Sequence, residues 1–233
     1  MKPGLLVLAG GAEFGDGMEA ADRRAIERAG GFDAPICILP TAAAPDNNHL
    51  RAGGNGMRWF KSLGSRNVTL LNVIDPASAN DETLAASVRT SRLIYMLGGF
   101  PRHLGETLKG STCWRAALDA YNEGAVIAGS SAGAMVLCEQ YYDPYERKLL
   151  PGLNLVSKAC VIPHHNRSGG KWTEGLLQLL PQAILIGIDE STAMIGNPDG
   201  IWQVFGPGKV TLHHGAQVQR YTSSEVFSIP SEV

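Results

Sequence analysis

The chain has 233 residues, 44% of them hydrophobic and 18% charged, with a formal net charge of −2. This is the balance of a soluble globular protein with a full core, and the lack of a basic excess argues against nucleic acid as a partner. No stretch is long enough to cross a membrane, and no linker, charge block or repeat divides the chain, so residues 1–233 read as one catalytic-sized domain. In chain order, short apolar runs at 5–9, 36–39, 68–74, 93–97 and 125–128 read as strands. The first follows Met1-Lys2 and ends at Gly10-Gly11, which suits a buried strand better than a leader peptide. Their continuous hydrophobicity points to a sheet covered on both faces. Helical patterns lie between them, at 17–29 with Asp22, Arg23, Arg24 and Glu27 on the wet face, at 49–63, at 81–88, and at 102–121 with a break at Gly110-Ser111-Thr112. A helix at 171–180 and a strand at 184–188 follow. Turns at Asn197-Pro198-Asp199-Gly200 and Gly206-Pro207-Gly208 bracket a strand at 201–205 and predict antiparallel hairpins at one sheet edge. Strand alternating with helix gives an α/β three-layer sandwich, a doubly wound and mostly parallel sheet with hairpins near the C-terminus.

The densest chemical signal is Gly129-Ser130-Ser131-Ala132-Gly133-Ala134, between the run ending at Ala128 and Met135-Val136-Leu137. Gly-x-Ser-x-Gly between strand and helix is the pattern of a nucleophile elbow centred on Ser131. Small neighbours suit it because the nucleophile occupies a strained backbone conformation. The Ala132 N–H, at the start of the following helix, is a candidate oxyanion donor. A serine hydroxyl needs a base, and six histidines are on offer: His49, His103, His164, His165, His213 and His214. His49 follows a polar loop and reads as solvated; His103 opens a helix and reads as surface. His164-His165 follows the strand-like Cys160-Val161-Ile162 and Pro163, which puts an imidazole at a strand end. His213-His214 reads as an exposed hairpin position. Asp189-Glu190, after another strand, supplies a carboxylate to orient the base; either residue could instead cap a turn. Two chain orders stay open at this point: Ser131, His164, Glu190, or the α/β-hydrolase order in which Asp189 or Glu190 pairs with His213 or His214. A non-catalytic binding module on the same fold is a third reading.

Cys37, Cys113, Cys138 and Cys160 have no metal-ligand spacing and read as buried thiols, Cys37 in a strand and Cys138 in the helix after the elbow. A reducing cytoplasm is the matching compartment. No metal or other cofactor is called for, since neither Gly10-Gly11 nor Gly98-Gly99 completes a nucleotide-binding pattern.

The elbow, the Pro163-His164 strand end and Gly187-Ile188-Asp189-Glu190-Ser191-Thr192-Ala193 together resemble the cyanophycinase/dipeptidase E family of serine peptidases. Gly10-Gly11, Leu39-Pro40-Thr41-Ala42-Ala43 and Leu97-Gly98-Gly99 match in type and order. The resemblance implies a glutamine-amidotransferase-like sandwich with a Ser-His-Glu triad. Ser131 would be the nucleophile, His164 the base and Glu190 the acid, with oxyanion donors at Gly99 and Ala132. It implies a small peptide as substrate and leaves room for a homodimer. Amidotransferases of this fold use cysteine in the elbow, where this chain has serine. Cyanophycinases carry glutamine after the Gly-Gly turn and Asp-Gln before the histidine; this chain has Phe100-Pro101 and Ile162-Pro163, the latter closer to dipeptidase E. Phe100, His165 and Arg167 are candidate substrate contacts. Arg102, Arg167 and Lys171 could bind a substrate carboxylate if they face the cleft, although solvated cations are the commoner state.

Overall fold

The computed structural model describes residues 3–229, so Met1-Lys2 of the opening segment lie outside it. Five strands form the parallel part of the main sheet: β1 (Leu6–Ala9), β2 (Ile36–Leu39), β3 (Val68–Leu70), β4 (Leu93–Met96) and β5 (Val126–Ser130). Beyond β5 come a hairpin, β6 (Gln140–Asp143) and β7 (Lys148–Pro151), then β8 (Ala159–Ile162), β9 (Ile184–Ile188), β10 (Ala193–Gly196), β11 (Ile201–Phe205), β12 (Val210–His214), β13 (Gln217–Tyr221) and β14 (Val226–Ser228). The main sheet has eight strands in the order β14-β11-β10-β1-β5-β4-β2-β3, parallel from β1 to β3 and antiparallel from β1 to β14.

Every residue of β1, β2, β4 and β5 is buried, and alternate side chains enter different cores. Leu6, Leu8, Ile94, Met96 and Ile127 face one side. That side is covered by α3 (Pro76–Ala79), α4 (Glu82–Arg89), α5 (Pro101–Leu108), α6 (Thr112–Asn122) and α7 (Ala132–Val136). Val7, Ala9, Ile38, Tyr95 and Val126 face the other side, under α1 (Glu19–Ala29) and α2 (His49–Ser62). Burial on both faces is why these strands read as unbroken apolar runs. The break between α5 and α6 has a local cause. Gly110 takes φ 73°, and the Ser111 hydroxyl caps α6 by accepting from the Trp114 N–H at 3.1 Å.

Several expectations need correction. The C-terminal hairpins do not share one edge. β10, β11 and β14 extend the main sheet, while β9 and β12 join β8 and β13 in a second sheet ordered β13-β12-β9-β8. That sheet packs Val161, Ile186, Ile188, Val210 and Leu212 into the first core. It turns Cys160, Ile162 and Leu185 toward α8 (Thr173–Leu179), so β9 is buried on both sides like a central strand. The strand expected at 68–74 stops at Leu70, because Val73 turns back onto the Leu71 carbonyl and Asp75 opens α3 with a capping box. The first helix begins later than expected, after a 3₁₀ turn at Asp16–Met18. The helix expected at 171–180 also splits, into a 3₁₀ turn at Gly169–Trp172 and α8. Asp22 is not on a wet face. It is fully buried and accepts from Trp59 Nε1 at 2.7 Å. Cys138 lies beyond α7, bridged to Val156. His49 is half-buried rather than solvated, with Nδ1 enclosed.

Candidate active site

The site gathers where β1, β4, β5, β8 and β9 end. Ser131 follows β5 at φ 49°, ψ −112°, a conformation that costs a non-glycine residue free energy and concentrates at functional sites. Two glycines make the turn feasible. A Cβ on Gly129 would lie 2.3 Å from the Gly133 carbonyl carbon, and one on Gly133 would lie 2.4 Å from the Met96 carbonyl oxygen. The Ser131 N–H is tied to the Ala9 carbonyl at 2.9 Å, so it continues the β1–β5 ladder.

His164 leaves β8 through Pro163 at φ 49°. Its Nε2 lies 3.0 Å from Ser131 Oγ, and its Nδ1 lies 2.9 Å from Glu190 Oε1. With the ring proton on Nδ1 directed at the carboxylate, Nε2 is free to accept from the serine hydroxyl. All three side chains are part-exposed, His164 to 31% and Glu190 to 23%. The Gly10-Gly11 turn holds this arrangement from below. The His164 N–H donates to the Gly10 carbonyl at 2.8 Å and the Ser191 N–H to the Gly11 carbonyl at 2.9 Å. A Cβ on Gly11 would lie 2.2 Å from His164 Cε1.

Gly98-Gly99 closes the other side. The position a Gly98 Cβ would take is 3.2 Å from Ser131 Cβ, so the turn abuts the serine. Gly99, at φ 140°, is pressed onto the Ala42 carbonyl, which also accepts the Phe100 N–H at 2.8 Å. Thus the Pro40-Thr41-Ala42-Ala43 segment buttresses the turn. Neither the Gly99 nor the Ala132 N–H meets a backbone carbonyl among the described residues.

The remaining expected contacts divide. Phe100 stacks on Tyr145 of the β6–β7 hairpin, with centroids 4.9 Å apart and planes 18° apart. Arg167 lies against Glu190, its Nε 2.6 Å from Oε2. Arg102 pairs with Glu106 at 2.7 Å and with Glu146, and Lys171 is exposed. His165 rests on Gly187, where a Cβ would lie 2.5 Å from its ring, and packs edge-on against His213 at 5.6 Å. His213 is therefore half-buried, not an exposed hairpin residue, and it meets His165 rather than Ser131. Burial lowers both imidazoles below their ordinary range. For His165 the nearby Asp189 opposes the shift and Arg220 adds to it. For His213, His165 and Arg220 add to it. Asp189 caps no helix; its Oδ2 accepts the Lys209 N–H at 3.0 Å and anchors the start of β12. His103 is half-buried, with Nε2 2.7 Å from the Ile74 carbonyl oxygen. All four cysteines are buried, and desolvation raises each thiol, Cys37 and Cys160 to about 12 and Cys113 to about 11.

Three neighbours escaped the sequence reading. Asn166 accepts the Glu190 N–H at 3.0 Å, Tyr145 covers Phe100, and Glu13 accepts from Ser130 Oγ at 2.8 Å. Only Glu13 had a usable signal, an acidic residue just past a strand-ending Gly-Gly.

Comparison with known proteins gives the family. The pattern of peptidase family S51 matches residues 5–203. The chain is 30% identical to the cyanophycinase of Synechococcus elongatus over 220 residues, 90% of this chain and 67% of that one. It is 28% identical to the cyanophycinase of Trichormus variabilis over 222 residues, 91% of this chain and 73% of that one. The crystal structure of a peptidase from an acI-B1 Actinobacterium superposes with a TM-score of 0.87, at 30% identity and 97% coverage of both chains.

Proposed function

The chain belongs to peptidase family S51, and on that premise we propose that it is a serine-type hydrolase of peptide or isopeptide bonds in small peptides, working through an acyl-enzyme on Ser131. The observation that carries the reading is the continuous hydrogen-bonded path from Ser131 Oγ through His164 to Glu190. In the forward step His164 Nε2 takes the hydroxyl proton as Oγ attacks the scissile carbonyl. The imidazolium then returns that proton to the leaving amine, and a water repeats the sequence to release the acid. Glu190 fixes the tautomer and stabilises the imidazolium. Asn166 and Arg167 hold Glu190 in turn. The N–H groups of Gly99 and Ala132 receive the oxyanion. Their freedom from backbone carbonyls supports this role, as does the commitment of the Ser131 N–H to Ala9.

The whole chain acts as one catalytic domain, without a metal or other cofactor. Phe100, stacked beside Gly99, forms a wall for the substrate. The ion pairs of Arg102 and Arg167 weaken the case for a dedicated carboxylate pocket, although those of Arg102 are exposed and a substrate carboxylate could displace them.

The test is a dipeptide and isopeptide panel, including Asp-Xaa and β-Asp-Arg, read by mass spectrometry. It is run on the wild type and on His164→Ala, His165→Ala and His213→Ala. Turnover abolished by His164→Ala and retained by the other two is expected. An inactive His213→Ala beside an active His164→Ala would transfer the base to His213 and sink the assignment.

A further inference from the structure

Glu13 takes no part in the proton path just described, yet its setting is costly to maintain. It stands between Ala12 at φ 55° and Phe14 at φ 64°, two non-glycine residues in the left-handed region. Such strain persists only where the surroundings over-determine it. Here the anchor is Phe14. Its ring packs against Tyr95 at 5.4 Å and edge-on to Phe60 at 6.2 Å. It also sits so close to α2 that a Cβ on Gly56 would lie 2.8 Å from Phe14 Cζ. The aromatic clamp fixes the backbone on one side of Glu13, and Gly10-Gly11 fixes it on the other.

The carboxylate thus held reaches two parts of the nucleophile's support. Glu13 Oε2 accepts from Ser130 Oγ at 2.8 Å, and Ser130 is fully buried as the last residue of β5. The point that a Gly98 Cβ would occupy lies 3.4 Å from Glu13 Oε1 and 3.2 Å from Ser131 Cβ. The second carboxylate oxygen therefore borders the same small space as the serine.

We infer that Glu13 is a positioning residue for the nucleophile, its bond to Ser130 pinning the end of β5 so that the strained elbow aims Ser131 Oγ at His164. A charge-assisted acceptor for a buried hydroxyl is a stronger and more directional tether than a neutral one. The need for it follows from Ser131 itself, whose backbone would relax toward an ordinary conformation if the preceding residue were free to turn. The inference rests on Ser131 being the nucleophile and deepens that reading.

A fluorophosphonate probe tests it without knowledge of the substrate. Its second-order rate of reaction with Ser131 is measured by intact mass for the wild type, Glu13→Ala, Glu13→Gln, Ser130→Ala and the Glu13→Ala/Ser130→Ala pair, each checked for folding by thermal denaturation. Displacement of a reacting atom by about 1 Å costs on the order of 100-fold, so Glu13→Ala and Ser130→Ala are expected to slow labelling by roughly 10–100-fold. The double variant should be no slower than either single one, because both remove the same bond. Glu13→Gln, which keeps an acceptor oxygen, should recover to within about threefold of wild type. A merely structural Glu13 would lower the melting temperature and leave the labelling rate of folded protein unchanged, which would overturn the inference, as would additive losses in the double variant. If Glu13→Ala does not fold, Ser130→Ala decides alone, since it deletes one hydroxyl. A wild type that takes no label overturns the serine-hydrolase reading and this inference with it. A labelled wild type with equally fast variants overturns this inference only.

Discussion

Gly11 shows how narrowly the site is built. Its φ of 110° is open to glycine and strained for any residue with a side chain, and the place of the missing Cβ lies 2.2 Å from the His164 ring. Gly11→Ala should therefore push the imidazole away from Ser131 Oγ while leaving the cores intact. The expected outcome is a loss of about 100-fold or more in probe labelling or turnover, with a cost in stability of about 1–3 kcal/mol. Parallel kinetics and thermal melts check it. Activity within about threefold of wild type would show that the ring has room to spare. At this scale the sequence was eloquent about chemistry and silent about neighbours. Ser131 stood out by its elbow, whereas His164 and Glu190 were strand-end candidates that only the family resemblance set above His213 and Asp189. Asn166, Tyr145 and the role of Gly11 could not be singled out, since each depends on which distant segment folds against it.

Among the elements, α1 and α2 carry the least expected feature, the bond between the buried Asp22 and the half-buried Trp59. Desolvation is the main cause that raises the Asp22 carboxyl to about 7; the Trp59 hydrogen bond opposes it and nearby Glu13 adds to it. The unfolded chain releases this proton near its ordinary value of 3.8. A folded-state value above the unfolded one means that stability is fully present below about pH 4 and is lost as pH rises to about 7. Asp22→Asn keeps an acceptor for Trp59 and removes the charge. It should match the wild type near pH 4 and exceed it above pH 7 by on the order of 4 kcal/mol. Denaturant midpoints of the two proteins at pH 4, 6 and 8 measure the difference; parallel curves would place Asp22 in a wetter setting than the structure gives it. The sequence reading put Asp22 on the solvent face because helical periodicity treats every carboxylate as wet. Only the indole of Trp59, 37 residues away, reverses that assignment.

For the whole molecule, the strands from β1 to β5 were legible and the sheet partners of the later strands were not. Strands β1, β2, β4 and β5 are buried on both faces, and unbroken apolar runs advertise that state. β8, β9, β12 and β13 form a separate sheet whose partners are chosen by tertiary packing, so their turns could be read and their sheet could not. The family match, residues 5–203, takes in β1 to β5 together with β8 and β9 and stops before β12; Ser131 from the first part meets His164 and Glu190 from the second. The most direct test of that union is the position of a fluorophosphonate adduct. After reaction, intact mass should show one adduct per chain, and peptide mapping should place it on Ser131. Ser131→Ala should take none, and His164→Ala should react slower by several orders of magnitude. An adduct on another residue, or equal labelling of Ser131→Ala, would contradict the account.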